Sequence, residues 1–544
     1  MYFIEIKRLK SFSFSRFFGI ILSVKTSEKR CVFVTEIERE LLEKNKQLEA
    51  QNAQLLNENK TLKKEKEALQ FTLQKLNRNI FGKKSEQSAH DKERNLFNLN
   101  EAEQNQNLHL EEPSIDKVIR AKKKTSRKDN IAHLETKEII YDIEDKTCTQ
   151  CETPLVSVGS KTRETIEVIK KVVKNLEKSL RYKCPTCETF YHGEMPKLPI
   201  EKSIAKPSLL AQVIVDKVAN AIPLYRQSED YKRIGANLSR QVLSNWMIKS
   251  SDLLEIIYHK MKDDLTSHDI IHADETVLQV LKESGKAASS KSYMWLFESS
   301  VHNQEIVLYH YDQSRSGSVP KRFLKEFSGY LHVDGYQGYS QVDGVTLVNC
   351  FAHLRRKFYD IVSTLTEEQK KSSHSVLALD KISKIYDLDN QCKRLPLDKR
   401  LDFKQTHIKP LFIELRTWLN TESLTAQGNY GSAVGYALKH MGSVMVYLED
   451  ARLEIDNNRG ERAIKPFVIG RKNWLFSNTP NGAYASSVLY SIVQTAILNR
   501  INPYKYISHV LHILANTKIN ELDLNTLTPY NESIRQKFSM NTPQ

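Results

Sequence analysis

Long apolar runs are missing from this chain. The longest near its start, Phe17–Val24, covers eight residues, with Arg16 before it and Lys7, Arg8 and Lys10 further upstream. A bilayer-spanning helix needs about 20 apolar residues. No small-residue cleavage site follows, so neither a membrane anchor nor a signal peptide is expected. Residues 1–35 read as an irregular leader, as if translated from a start codon placed too far upstream.

Cysteine is scarce: there are seven in 544 residues, four of them in two Cys-x-x-Cys pairs. An odd, paired set argues against a secreted disulfide framework. It points to metal-binding thiolates in a reducing, cytoplasmic compartment. Acidic charge is short too, since 66 Asp and Glu face 81 Lys and Arg for a formal net charge of +15. A polyanionic partner is expected, nucleic acid (with nucleoid association) before membrane, the alternative being a generally basic soluble surface. The length exceeds one core and suggests about three or four domains.

Glycine and proline are absent from Glu36 to Phe81, where Leu41, Leu48, Leu55, Leu62, Leu69 and Leu76 recur every seven residues. With leucine at d, the a positions are Asn45, Asn52, Asn59, Lys66, Leu73 and Ile80. Leucine at d and asparagine at a favour a parallel dimer in fixed register. Residues 36–82 are therefore expected to form a coiled coil that makes a homodimer or higher oligomer. A solvated single helix is the alternative. Residues 83–135 turn polar and carry Lys122, Lys123, Lys124, Arg127 and Lys128. Too few apolar groups are present to offset ordering entropy, so a flexible basic linker is expected.

Residues 136–195 hold Cys148, Cys151, Cys184 and Cys187. Each pair on a tight turn aims two thiolates at one point, and four complete a tetrahedral structural Zn²⁺ site. Over 196–255 the pattern is helical. Ser208 is a candidate cap for LLAQVIVDKVANAI, which Pro223 would end, and Ser239 a cap for LSRQVLSNWMIKS after the turn at Gly235. This is a helix-turn-helix pattern, whose second helix would offer Arg240, Gln241, Ser244 and Asn245 to the DNA major groove. Short helical pairs in a core read the same way.

Three acidic motifs follow in order: HADET with Asp274, VDGYQGY with Asp334, and DNNRGER with Glu461. Within 256–360, HDIIHADETVLQV, KSYMWLFES and QEIVLYHY read as three strands. SVPKRFLKEF reads as a helix, GYLHV and VTLVNC as strands four and five, and FAHLRRKFYDIV as a helix. Three strands in meander followed by a crossing helix and a fourth strand is the order of a ribonuclease H-like sheet. There Asp274 lies mid-strand and Asp334 just past strand four, with Gly335 allowing a sharp turn. Side chains alternate across a strand, so only one of Asp274 and Glu275 faces the site, and Asp274 is chosen. Residues 361–455 read as a helical insertion. Residues 456–513 return to the core, with an Asp or Asn at 456–458 capping a helix that carries Glu461. Arg462, Lys465, Arg471 and Lys472 are nearby to meet phosphates; 514–544 read as a polar tail.

Taken singly, an aspartate at a strand end is a turn former and a glutamate on a basic helix a salt-bridge partner. Together, three carboxylates on one scaffold are what two-metal phosphoryl transfer requires, with two Mg²⁺ or Mn²⁺ ions ~4 Å apart. The expected architecture is multidomain α/β. It is a ribonuclease H-like mixed sheet with a helical insertion, preceded by a coiled coil, a zinc-binding module and a helix-turn-helix-like segment.

At these residues the chain resembles the transposases of the insertion-sequence-66 group. The resemblance runs from about Lys75 to Ile513 through LNRNIFGKKSE (76–86), both cysteine pairs, PLYRQSEDYKRIGANLSRQVLSNW (223–246), IHADET (271–276), VDGYQGY (333–339), CFAHLRRKF (350–358) and DNNRGERAIKPFVIGRKNWLFSN (456–478). It implies a DDE mechanism with the triad on Asp274, Asp334 and Glu461. The family often has two aspartates where this chain has Asp274-Glu275, and the first is the one inferred to act. His353, Arg355, Arg356 and Lys357 look like the family's basic element, for a DNA contact or a partly buried structural helix. The implied reaction hydrolyses the phosphodiester at an element's end, then joins the 3′-hydroxyl to target DNA. The implied partners are the terminal inverted repeats, target DNA and accessory proteins of the same element. An inactive DNA-binding regulator and a nuclease without strand transfer are the competing readings.

Overall fold

The computed structural model describes residues 28–81 and 172–540, apart from 186, 302 and 303. Two units are distinguished, Met1–Ser88 with Ala426–Ser432 and Ala89–Thr425 with Ala433–Gln544. In the first, one helix runs from Glu28 to Phe81, starting ahead of the expected Glu36. Its ladder leucines Leu48, Leu55, Leu62 and Leu69 are exposed in the single chain. The expected linker 83–135, Cys148 and Cys151 lie outside the described residues.

The second unit opens with a hairpin of β1 (Arg181–Lys183) and β2 (Phe190–His192), paired antiparallel around Cys184 and Cys187. Three helices follow, Pro207–Val218, Leu224–Arg233 and Arg240–Ser267. The first begins with Lys206 as cap and Pro207 as first residue, so the expected cap Ser208 lies inside it. Proline fixes the first-turn φ and gives up only an amide without an intrahelical partner. That helix ends at Val218, and Pro223 caps the second helix instead of ending the first. Gly235 takes φ +89° in the turn before the third helix, where Ser239 caps as expected by accepting from the Val242 N–H. The third helix outruns its expected end, because its apolar face continues through Leu254, Ile257, Tyr258, Met261 and Leu265.

The core is a five-stranded mixed sheet: β3 (Ile270–Gln279), β4 (Lys291–Val301), β5 (Gln304–Asp312), β6 (Gly329–Val333) and β7 (Val345–Asn349). Its order is β5-β4-β3-β6-β7. β3, β4 and β5 form an antiparallel meander, while β6 and β7 run parallel to β3. β4 and β5 are buried on both faces through Met294–Phe297 and Ile306–Tyr309, so helices cover both sides.

β5 would expose an unpaired edge, but the helix Pro480–Leu498 seals it. Ser491 Oγ accepts from the Tyr309 N–H at 2.8 Å, and Thr495 Oγ1 accepts from the Val307 N–H at 3.0 Å. Thr495 also donates to the Val307 carbonyl, and Asn499 donates to the Glu305 carbonyl at 2.7 Å. Polar groups four residues apart on one helix thus stand in for a missing strand.

Between the helix Phe351–Val362 and the helix Asn458–Trp474 the chain is helical, with long segments His374–Cys392, Lys409–Ser423 and Gly428–Met445. Buried Lys404 binds this insertion to the chain's return. Its ammonium donates to the Tyr447, Asp450 and Leu453 carbonyls at 2.8–3.1 Å. No described helix is long and apolar enough to cross a membrane.

Candidate active site

Parallel pairing sets His272 on β3 beside His332 on β6. Two residues on along each strand come Asp274 and Asp334, on the same face by the two-residue side-chain period. Asp334 sits just past β6, where its carboxylate accepts from the Tyr336 N–H at 2.8 Å. Gly335 takes φ +98°, and a Cβ there would meet the Tyr436 hydroxyl at 2.9 Å. The expected sharp turn is present.

Glu461 lies in the first turn of Asn458–Trp474, where its amide donates to the Asn457 carbonyl. Carboxylates are favoured at this end of a helix. Asn457 occupies the cap position but makes no cap hydrogen bond. Its side chain reaches the sheet instead: Nδ2 donates to the Ala273 carbonyl at 2.8 Å and Oδ1 pairs with His272 Nδ1 at 2.9 Å. One fully buried asparagine thus ties the Glu461 helix to the residue beside Asp274. Asp456 performs the matching task on the other side, accepting from the Ala352 N–H and the Tyr386 hydroxyl, both at 2.8 Å. Burial raises its carboxyl to about 6.

The charges of the other acids act on Asp274. Burial first, then the charges of Glu275, Asp334 and Glu461, push the Asp274 carboxyl up to about 8. Glu275 is also raised by burial, but its oxygens are engaged. Oε1 accepts from Arg315 Nη2 at 2.6 Å and Oε2 from the Tyr339 hydroxyl at 2.6 Å. Asp274 has its Oδ1 on the Glu275 N–H at 2.8 Å. Of the adjacent pair, Glu275 is thus held by cationic and phenolic donors.

His353 stands 3.8 Å from Glu461, Nδ1 to Oε1, and burial lowers its basicity. Cys350 joins them, with ligand atoms of all three within 4.8 Å of one another. Burial pushes the Cys350 thiol up to about 12, so it stays protonated at neutral pH.

Cationic side chains flank the acids. Arg462, Lys465 and Lys472 are exposed on the Glu461 helix, and half-buried Arg471 donates to Thr276 Oγ1 at 3.1 Å. On the helix Phe351–Val362, Lys357 lies over the Tyr436 ring and Arg355 over Tyr359. Arg240, Gln241 and Asn245 are exposed and Ser244 half-buried in the first turns of Arg240–Ser267. That group shares no hydrogen bond with the acids among the described contacts. Cys187 bonds to the Thr189 hydroxyl at 3.2 Å, which brings its thiol down to about 7.

The sequence reading missed Asn457 as a sheet contact, Arg315 and Tyr339 as the partners of Glu275, and Cys350 with His353 beside Glu461. The Cys-x-x-His spacing directly after β7 was the available signal for the last pair.

Comparison with known proteins gives the same segments a shared ancestry. The family model described as "Transposase IS66 family" matches residues 202–485, and one described as "Transposase C of IS166 homeodomain" matches 68–139. Three uncharacterized proteins of Sinorhizobium fredii are similar along most of their length. The protein y4jD is 27% identical over 422 residues, covering 73% of this chain and 80% of that protein. For y4hP the identity is 25% over 492 residues, covering 84% and 87%, and for y4qI 26% over 408, covering 72% and 74%. Residues 202–485 are more than half of the 544 and contain all three carboxylates; the chain belongs to the IS66 family of transposases.

Proposed function

We propose that this transposase cuts the ends of an insertion sequence and joins the freed 3′-hydroxyls to target DNA, with Asp274, Asp334 and Glu461 as ligands of Mg²⁺ or Mn²⁺. One observation carries the reading: the fold brings three carboxylates from distant segments to one end of β3 and β6, where burial first, and then the charges of Glu275, Asp334 and Glu461, raise the Asp274 carboxyl. Such a site favours a cation. Glu461 Oε1 supports it further, being a buried oxygen with no hydrogen-bond partner among the described residues. The donors are hard oxygens, which suit Mg²⁺ or Mn²⁺. When bound, a pair of such ions supplies charge neutralisation at the phosphodiester and activation of the attacking hydroxyl.

The protein's own part is positioning. Asn457 and Asp456 fix the Glu461 helix against β3 and the helix Phe351–Val362. Arg315 and Tyr339 occupy both oxygens of Glu275, which leaves Asp274 as the acid of that pair available to a cation. Exposed Arg462, Lys465 and Lys472 offer phosphate contacts beside the acids, and Arg355, Arg356 and Lys357 do so from the neighbouring helix. The strand order and the place of each acid support a ribonuclease H-like core.

Outside the core, Arg240, Gln241, Ser244 and Asn245 are proposed to read the terminal repeats from the major groove. Cys184 and Cys187, on one hairpin turn, fit half of a structural Zn²⁺ site that Cys148 and Cys151 would complete. The exposed leucine ladder of Glu28–Phe81 supports self-association. Strand transfer in vitro tests the whole reading. Labelled element ends, target plasmid and Mn²⁺ should give joined product that Asp274→Ala abolishes. Cleavage without joining would favour a nuclease, and activity unchanged in Asp274→Ala would exclude the triad.

A further inference from the structure

We infer that His353 is a nitrogen ligand of the cation that Glu461 holds, and that this makes the site prefer Mn²⁺ to Mg²⁺. The inference rests on the three-carboxylate reading above and adds a fourth residue to it.

The placement of His353 is over-determined. β7 ends at Asn349 and the helix Phe351–Val362 begins at once. The Phe351 N–H donates to the Ile455 carbonyl at 3.1 Å and the Ala352 N–H to the Asp456 carboxylate at 2.8 Å. These bonds lock the first turn of one helix to the segment that opens the other. His353 and Glu461 are thereby brought face to face, at 3.8 Å between Nδ1 and Oε1.

Both facing atoms are buried, and neither has a hydrogen-bond partner among the described residues. Buried polar atoms in proteins are nearly always satisfied, and 3.8 Å is too long for a hydrogen bond. A neutral imidazole nitrogen and a carboxylate oxygen both offer lone pairs, so a cation between them supplies what each lacks. Two ligands on one cation at about 2.1 Å stand ~3 Å apart when adjacent and ~4 Å when opposed. The observed separation falls inside that interval.

Cys350 is a poor third ligand. Its Sγ already accepts from the Asn457 N–H at 3.2 Å, and the residue is buried. The donor set is thus oxygen with one imidazole nitrogen, rather than the thiolate set of a zinc site. Mg²⁺ strongly prefers oxygen, whereas a transition-metal ion accepts imidazole readily.

Pulsed electron paramagnetic resonance on the full-length protein with Mn²⁺ as the added cation tests this directly. The wild-type protein should show nitrogen modulation from a coordinated imidazole, lost in His353→Gln and kept in Cys350→Ser. Calorimetry should show Mn²⁺ affinity falling by about tenfold or more in His353→Gln while Mg²⁺ affinity changes by less than about threefold. A wild-type signal without nitrogen modulation, or modulation that survives His353→Gln, would overturn the inference without any need for a folded variant. Asp274→Asn separates this from the parent reading: it should abolish Mn²⁺ binding. Unchanged binding in Asp274→Asn would instead overturn the three-carboxylate site and the shared cation with it.

Discussion

Removing one charge from the acidic cluster should stabilise the metal-free protein at alkaline pH. Asp274 titrates near 3.8 in an unfolded chain and at about 8 in the folded one. A folded value raised above the unfolded one means that the folded state binds the proton more tightly. Stability is then full below pH ~4 and is lost as pH rises towards 8. At about 1.4 kcal/mol per pH unit the full interval corresponds to on the order of 5 kcal/mol. Relaxation of neighbouring acids would leave roughly 2 kcal/mol, which is about 2–3 °C for a unit of this size. The amide introduced by Asp274→Asn keeps an oxygen to accept from the Glu275 N–H, so the substitution removes charge with little change of shape. Thermal unfolding in chelator at pH 5 and pH 8.5 measures the effect. The variant should melt higher than wild type at pH 8.5, and at pH 5 the gap should narrow to less than about a third of that. Added Mn²⁺ should raise the wild type and leave the variant unmoved. A variant that melts at or below wild type at pH 8.5 in chelator would refute the crowding of carboxylates.

Other perturbations probe the scaffold. Asn457→Ala removes two buried hydrogen bonds between the Glu461 helix and β3, and should cost about 2–4 kcal/mol in chemical denaturation together with most cleavage activity. Gly335→Ala forces a β-carbon into a positive-φ turn against Tyr436; a loss of about 1–2 kcal/mol and impaired strand transfer are expected from the same assays. Ser491→Ala with Thr495→Val unseals the β5 edge and should cost about 2 kcal/mol while exposing the Val307 and Tyr309 amides to hydrogen exchange.

Much of the core was legible because its strands announce themselves by composition. GYLHV and FAHLRRKFYDIV occupy the expected spans Gly329–Val333 and Phe351–Val362. The meander before them follows the expected order of KSYMWLFES and QEIVLYHY. Local signals also placed Ser239 and Gly235 correctly. What escaped was non-local. Asn457 looks like a helix cap in sequence, but the sheet competes for its amide and wins. Ser491, Thr495 and Asn499 look ordinary on a helix until an edge strand lies beside them. Pro207 outcompeted Ser208 at the start of its helix. The Glu275 partnership with Arg315 spans a fold-dependent distance that no spacing rule encodes.

Single-turnover cleavage of an element end by three separate variants, Asp274→Asn, Asp334→Asn and Glu461→Gln, is the most direct test of the central claim. Each should lower the rate by roughly 1,000-fold or more, about 4 kcal/mol of barrier, with DNA binding retained. Any one variant that cleaves and joins at the wild-type rate would contradict the assignment of that carboxylate, and with it the three-acid site.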